Sequence, residues 1–361
     1  MVLSKKYLGN LKSNFPDKKV AIEETVPELF SVFYHHKRHS CILYPEPPLG
    51  KEEIELFHKV CAKKSFLTPM QLHTNGIELS NKKIAISISE PSNSFYIING
   101  FERLKDLSIE IARHLLAANA HLVYGGDLRR TNNFVHILGE LSYQYYESQH
   151  SGEDIKPFWN YFAWPICKNI SKSESAFLKH NRIEEIPCPA PDECPKELQD
   201  TFLPPNNPTN QLIWAFSLLK MRTMRNESSD ALVALGGRTE GYKGFLPGVI
   251  EEVLIAVNSG KPVYLVGAFG GAIGLLTEYV SNERSIDEVF KSFIADKELI
   301  GLREFKTKLL EYSTLLSTLK ENGVSSLNNG LSQEENDILF KSTNITEIIS
   351  MILKGLKNKI R

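Results

Sequence analysis

An uncharged strand runs straight into a glycine-rich loop that opens a helix at Ala231-Leu-Val-Ala-Leu-Gly-Gly-Arg-Thr-Glu-Gly-Tyr-Lys-Gly-Phe-Leu-Pro-Gly-Val-Ile-Glu-Glu252, and this stretch constrains the fold most. A strand without charge is expected to be buried on both faces, as in a parallel sheet. Gly236 and Gly237 let the chain turn sharply at its carboxyl end, and Pro247 pre-sets the first helical turn. Backbone N–H groups and the positive end of the helix dipole would meet a phosphate or carboxylate there, with Arg238 and Lys243 supplying charge and Gly248 inside the first turn. The plainer reading is an ordinary strand-to-helix loop, but four glycines and two cations exceed what a simple turn needs.

A second junction of the same kind lies upstream. His121-Leu-Val-Tyr reads as a strand, Gly125-Gly126 as its turn, and Phe134, Ile137, Leu138, Leu141 and Tyr145 as the apolar stripe of the helix that follows. Thr131, Asn132 or Asn133 is expected to cap that helix, which leaves Arg129 and Arg130 in the loop, either solvated or clamping a phosphate. A third glycine turn, Gly270-Gly271, follows the apolar run Val263-Tyr-Leu-Val. It either lines the same pocket or lets helix and sheet approach closely.

The remaining elements complete an alternating order. Ile84, Ile86 and Ile88 mark a strand over 83–89, and Leu104, Leu107, Ile111, Leu115 and Ala118 mark a helix over 102–118. Residues 158–166 and 182–186 read as strands, and 210–224 as a helix. Between Pro187 and Pro208 lie seven of the 18 prolines, so that stretch is expected to be a long irregular loop or a lid. The order implies an α/β, Rossmann-like, mostly parallel sheet with helices on both faces, whose ligands bind beyond the carboxyl ends of strands. No full G-x-G-x-x-G occurs after Val263–Val266, which argues against a dehydrogenase.

On the Gly125-Gly126 turn and the loop from Gly236 to Glu252, the chain resembles the SLOG superfamily. That group includes the lonely-guy phosphoribohydrolases, the sugar-nucleotide-binding domain of TRPM channels and the ligand-sensing domain of Thoeris antiphage effectors. The resemblance covers about residues 82 to 280, and through to Leu356 at its widest. It implies a nucleotide-derived small-molecule ligand of the ADP-ribose or cyclic ADP-ribose type. Arg129, Arg130, Arg238 and Lys243 would hold phosphates, and Gly125, Gly126, Gly236 and Gly237 would give backbone donors, with Gly270 lining the pocket. It also makes Ser89, Glu90 and Ser92 weaker ligand candidates.

The hydrolases of that group carry Pro-Gly-Gly-x-Gly-Thr with a catalytic glutamate shortly after. Here Leu235 precedes the glycine pair, and Glu251 and Glu252 come fifteen and sixteen residues after Gly236, so the loop is longer. Either glutamate could stabilise an oxocarbenium-like transition state or only accept hydrogen bonds from ribose. Acidic residues also suit a first helical turn for dipole reasons alone, so one of the two is expected to serve that purpose. Binding therefore carries over better than catalysis. The leading expectation is a sensor, and its rivals are an N-glycosidase acting on a nucleoside monophosphate and an interaction module with a vestigial pocket.

Composition narrows the partners. A net charge of -1 gives no general attraction to nucleic acid or anionic membrane, and no apolar run reaches the roughly 18 residues a membrane helix needs. Five scattered cysteines suit a reducing, cytoplasmic setting. Neither Cys188 with Cys194 nor the cluster His35, His36, His39 has metal-ligand spacing and company, so no metal or cofactor is expected. Residues 1–80 read as a small extension without a catalytic motif, 81–283 as the ligand-binding core, and 284–361 as a helical segment packed on it. Capping boxes are expected at Ser285–Glu288 and Ser332–Glu335. A homo-oligomer, with a separate effector or TIR partner reading the bound state, is the expected assembly.

Overall fold

A computed structural model describes residues 42–43, 66–67, 77–91, 100–128, 133–149, 155–285, 288–289, 293 and 298–360. The chain divides into two compact units. In the smaller, β1 (Ile42–Leu43) pairs in parallel with β2 (Phe66–Leu67). The larger begins at residue 70 and takes in the rest of the chain apart from residues 147–151. Arg129, Arg130, Thr131, Asn132, Ser92, Cys41, Cys61 and the three clustered histidines lie outside the described residues.

The larger unit alternates strand and helix as the apolar periods require. Its elements are β3 (Lys83–Ser89), α1 (Gly100–Ala117), β4 (His121–Tyr124), α2 (Phe134–Gln149), β5 (Phe158–Phe162), α3 (Lys172–His180), β6 (Ile183–Pro187), α4 (Pro208–Ser228), β7 (Ala231–Gly236), α5 (Gly248–Asn258), β8 (Val263–Val266) and α6 (Gly271–Val280). All six strands from β3 onward are parallel, in the order β6-β5-β4-β3-β7-β8. Every residue of β7 and β8 is buried, as uncharged strands covered on both faces should be. Asn133 is the residue that caps α2, its side chain accepting from the His136 N–H at 3.1 Å.

Three local readings change. The expected strand over 158–166 stops at Phe162 and gives way to a short 3₁₀ turn at Ile166–Asn169. Helix α3 was not legible from periodicity, because only Leu178 of its nine residues is fully buried. Its signal is the capping box formed by Ser171 and Glu174. The proline-rich stretch is pinned rather than free, with Trp164, Cys194, Leu203 and Ile213 forming a small core of their own. The Trp164 indole donates to the Gln199 carbonyl at 2.8 Å and the Trp214 indole to that of Leu203 at 2.6 Å.

The C-terminal helices α7 (Arg303–Asn322), α8 (Gln333–Lys341) and α9 (Ile345–Lys359) share the core of the sheet. Both expected capping boxes form: Ser285 and Glu288 exchange bonds of 2.8 and 3.3 Å, and Ser332 and Glu335 do the same at 2.9 and 3.3 Å. Helices α8 and α9 cover the edge strand β8, where the Tyr264 hydroxyl donates to the Asn329 carbonyl and Asn329 donates back to the Val263 carbonyl at 3.0 Å. Gly355 makes this closeness possible, since a Cβ there would lie 2.4 Å from the Tyr264 ring. Gly355→Val should therefore push α9 off the sheet and lower stability by about 2–3 kcal/mol in urea unfolding, the usual cost of overpacking. A loss below about 0.5 kcal/mol, the surface-substitution range, would mean that α9 does not seal this edge.

Candidate functional site

Strand order reverses between β3 and β7, because the chain leaves β3 towards β4 on one side and later returns to β7 on the other. Loops diverge at such a point and open a crevice beyond the carboxyl ends of the strands. Ser89 and Gly236, the last residues of β3 and β7, are in register there. The Gly237 N–H donates to the Ser89 carbonyl at 2.9 Å, and the Arg238 N–H to the Ser89 hydroxyl at 3.3 Å. At the end of β4 the Tyr124 hydroxyl donates to the Ile88 carbonyl at 2.9 Å, tying the neighbouring strand ends together.

The glycine turns prove to be sites of close packing. Asn160 of β5 brackets Gly126, accepting from its N–H at 3.2 Å and donating to its carbonyl at 3.0 Å. The Gly126 N–H is thus already engaged, and a Cβ there would collide with Tyr124 and Val135. Gly125 lies over Met221 and Arg225 of α4, and Gly236 over Leu104 of α1. Gly237 and Gly271 both have positive φ, and a Cβ on Gly271 would stand 2.5 Å from the Gly237 carbonyl oxygen, which accepts from the Ala272 N–H at 3.0 Å. The third turn thus makes the close approach that one of its two readings expects. Gly270 caps α6 behind it.

Beside these strands, α4 and α5 place four charges in the interior. Helix α4 presents Arg222 and Arg225, three residues apart, to the amino-terminal half of α5, which carries Glu251 in its first turn and Glu252 just after it. Glu251 is fully buried. Its Oε2 pairs with Arg222 Nη1, while its Oε1 accepts from the N–H groups of Phe245 and Leu246 at 2.9 and 3.2 Å. One oxygen therefore serves the glycine-rich loop and the other pairs with α4. Gly244 and Gly248 are small because the Arg222 guanidinium lies against them, 2.7 and 2.6 Å from where their Cβ atoms would be. The amino end of α5 thus faces Arg222.

Glu252 is placed differently. Its Oε2 accepts from the Ser87 hydroxyl and forms an ion pair with Arg225 Nη2 at 2.8 Å. Its Oε1 is 3.7 Å from Arg222 Nε, beyond hydrogen-bond reach, and 8% of the residue stays exposed. Glu252 therefore keeps an oxygen to offer and Glu251 does not. Burial lowers the Arg222 pKa from its ordinary value, with Glu252 and then Tyr312 of α7 opposing that shift. Burial likewise pushes the Tyr312 phenol up to about 12.

The rim carries the remaining candidates. Burial raises the Tyr124 phenol above its ordinary range; the charge of Glu252 raises it further, while Arg225 and Arg238 pull it down. Tyr124 therefore feels the buried charges and Arg238 at once. Arg238 is half-exposed, and among the described residues no carboxylate pairs with it. Lys243 is exposed and turned onto α4, its ammonium 4.2 Å from the centre of the Trp214 ring. Between them Tyr242 donates to the Phe293 carbonyl and anchors the loop. Among the described residues no group of three or more His, Cys, Asp or Glu is placed to hold a metal ion.

This arrangement of paired glycine turns and a buried glutamate-bearing helix coincides with a family match, SLOG cluster2, over residues 78–339. The chain belongs to the SLOG superfamily. No curated protein matches it. SLOG membership points to binding or processing of a nucleotide-related ligand. In this SLOG chain, periodicity did not single out Ser87, Tyr124, Asn160, Arg222 or Arg225. The available signal was two arginines at i, i+3 just ahead of a wholly apolar strand, where a buried helix face has no use for unpaired cations.

The network makes a stability prediction. Glu251→Ala leaves Arg222 facing no Glu251 carboxylate and strips two loop N–H groups of their acceptor, so unfolding free energy should fall by about 3–5 kcal/mol. A fall under about 1 kcal/mol in denaturant titration would mean that the loop does not rest on this residue.

Proposed function

We propose that this SLOG domain binds a nucleotide-derived small molecule, of the ADP-ribose or cyclic ADP-ribose type, at the crevice between β3 and β7. One observation carries the reading. A carboxylate with one oxygen that accepts no hydrogen bond among the described residues, Glu252, and a cation without an acidic partner among them, Arg238, are both felt by Tyr124 at the strand ends. A phosphorylated ribose offers the complement: hydroxyls to donate to a carboxylate and an anionic group for a guanidinium. In this reading Arg238 holds phosphate, Glu252 holds ribose hydroxyls, and Glu251 supports the loop. The ligand's occupancy is then read by self-association or by a separate effector, with antiphage or TIR-linked signalling in the cytoplasm as the setting that the resemblance suggests.

Arg238→Ala should weaken ADP-ribose binding by about 1–3 kcal/mol with little change in stability, as expected for loss of a charge-assisted hydrogen bond at a half-exposed site. Lys243→Ala should weaken it less, since its ammonium is already engaged with Trp214. Isothermal calorimetry against ADP-ribose, cyclic ADP-ribose isomers, NAD and AMP measures both. Unchanged affinity in the Arg238 variant removes that residue from the site.

A second reading rests on the same open oxygen. A carboxylate fixed on one side by Ser87 and Arg225 could also steady an oxocarbenium-like transition state, which makes N-glycosidic cleavage of a nucleoside monophosphate the rival activity. Release of free base from AMP by the wild-type chain, lost in Glu252→Gln, establishes it. Saturable binding without base release leaves the sensor.

A further inference from the structure

Arg225 is only 2% exposed, yet among the described residues its guanidinium makes one ion pair, Nη2 to Oε2 of Glu252 at 2.8 Å. Among the described residues its buried Nε and Nη1 have no hydrogen-bond partner. A guanidinium so sparsely satisfied is a costly way to fill space, and an unbranched apolar side chain would pack beneath Gly125 without that cost. What Arg225 does provide is asymmetry. Together with Ser87 it holds Oε2, and so keeps Glu252 from turning onto Arg222, whose Nε waits 3.7 Å from Oε1.

We infer that Arg225 is a positioning residue that sets ligand specificity: it holds Glu252 in the one orientation that presents Oε1 to the ligand, and so makes the site select an intact ribose over a deoxyribose. The inference rests on the reading that Glu252 meets ribose. Without Arg225, Glu252 is free to close the short remaining distance to Arg222, which uses up the presented oxygen. Phosphate recognition by Arg238 is not part of that change. Loss of Arg225 should therefore erase the preference between riboses while leaving the deoxy ligand's own affinity nearly untouched.

The test is calorimetry on the full chain with ADP-ribose and with analogues lacking one ribose hydroxyl, in the wild type, Arg225→Met, Arg225→Lys, Ser87→Ala and Glu252→Gln. The wild type should favour ADP-ribose over at least one analogue by about tenfold or more, the worth of a hydrogen bond to a charged group. Arg225→Met and Glu252→Gln should reduce that preference to about threefold or less, and Arg225→Lys should restore most of it. Ser87→Ala removes the hydrogen-bond donor to Oε2 without stranding a charge, and it should lower the preference part-way even if Arg225→Met does not fold. Equal weakening of all ligands in Arg225→Met, or full preference retained in both Arg225→Met and Ser87→Ala, overturns the inference while the Glu252 assignment stands. A wild type without preference, or one kept by Glu252→Gln, overturns the ribose reading and this inference with it.

Discussion

Two arginines and two glutamates, all buried and matched in number, sit where the sheet reverses its strand order, and the surrounding structure is arranged to keep them matched. Charge removed from water is stable only when paired with good geometry and with its remaining lone pairs satisfied. Glu251 meets that demand by taking two backbone N–H groups of the loop as well as Arg222, so one side chain both balances charge and shapes the glycine-rich loop. Phe245, at the point where the loop meets Glu251, also stacks among Phe216, Phe305 and Tyr312, which carries the constraint into α4 and α7.

Two glutamates adjacent in sequence thus have different work. Successive residues of a helix point about a quarter-turn apart, and here that separation sends Glu251 to the loop and Glu252 towards β3. The acidic first turn also suits the helix dipole, but the ion pairs and hydrogen bonds on both side chains are far more specific than a dipole effect. Arg222 lies against Gly244 and Gly248 at the amino end of α5, where the dipole alone favours an anion. Rim cations such as Arg238 are therefore a better place to look for anion contacts than the helix terminus.

The sheet was legible in the sequence because buried parallel strands leave a plain mark. Ala231–Leu235 and Val263–Val266 are short, uncharged and followed by glycine, and both are fully buried strands. The stripes of α1 and α2 were legible for the same reason, since one face of each helix lies on the sheet. Helix α3 was not, because a nine-residue surface helix buries too little to impose a period. At the site, the glycine turns stood out but their purpose did not: Gly126 and Gly271 are glycines because Tyr124, Val135 and the Gly236–Gly237 backbone approach them, a long-range fact that no local window contains. Arg222 and Arg225 were hidden for a related reason. An arginine in a helix reads as a solvated charge until its partner, about thirty residues away in the next helix, is known to face it.

Backbone lies directly on backbone where Gly271 meets the Gly236–Gly237 turn, with no side chain between them. A floor built this way has no adjustable part. Any side chain added there, at positive φ and within touching distance of a carbonyl, disturbs two strand ends and the start of a helix together. Side chains are therefore exchanged more easily at the margin, on Glu90, Arg238 and Lys243, while the platform that displays them stays the same.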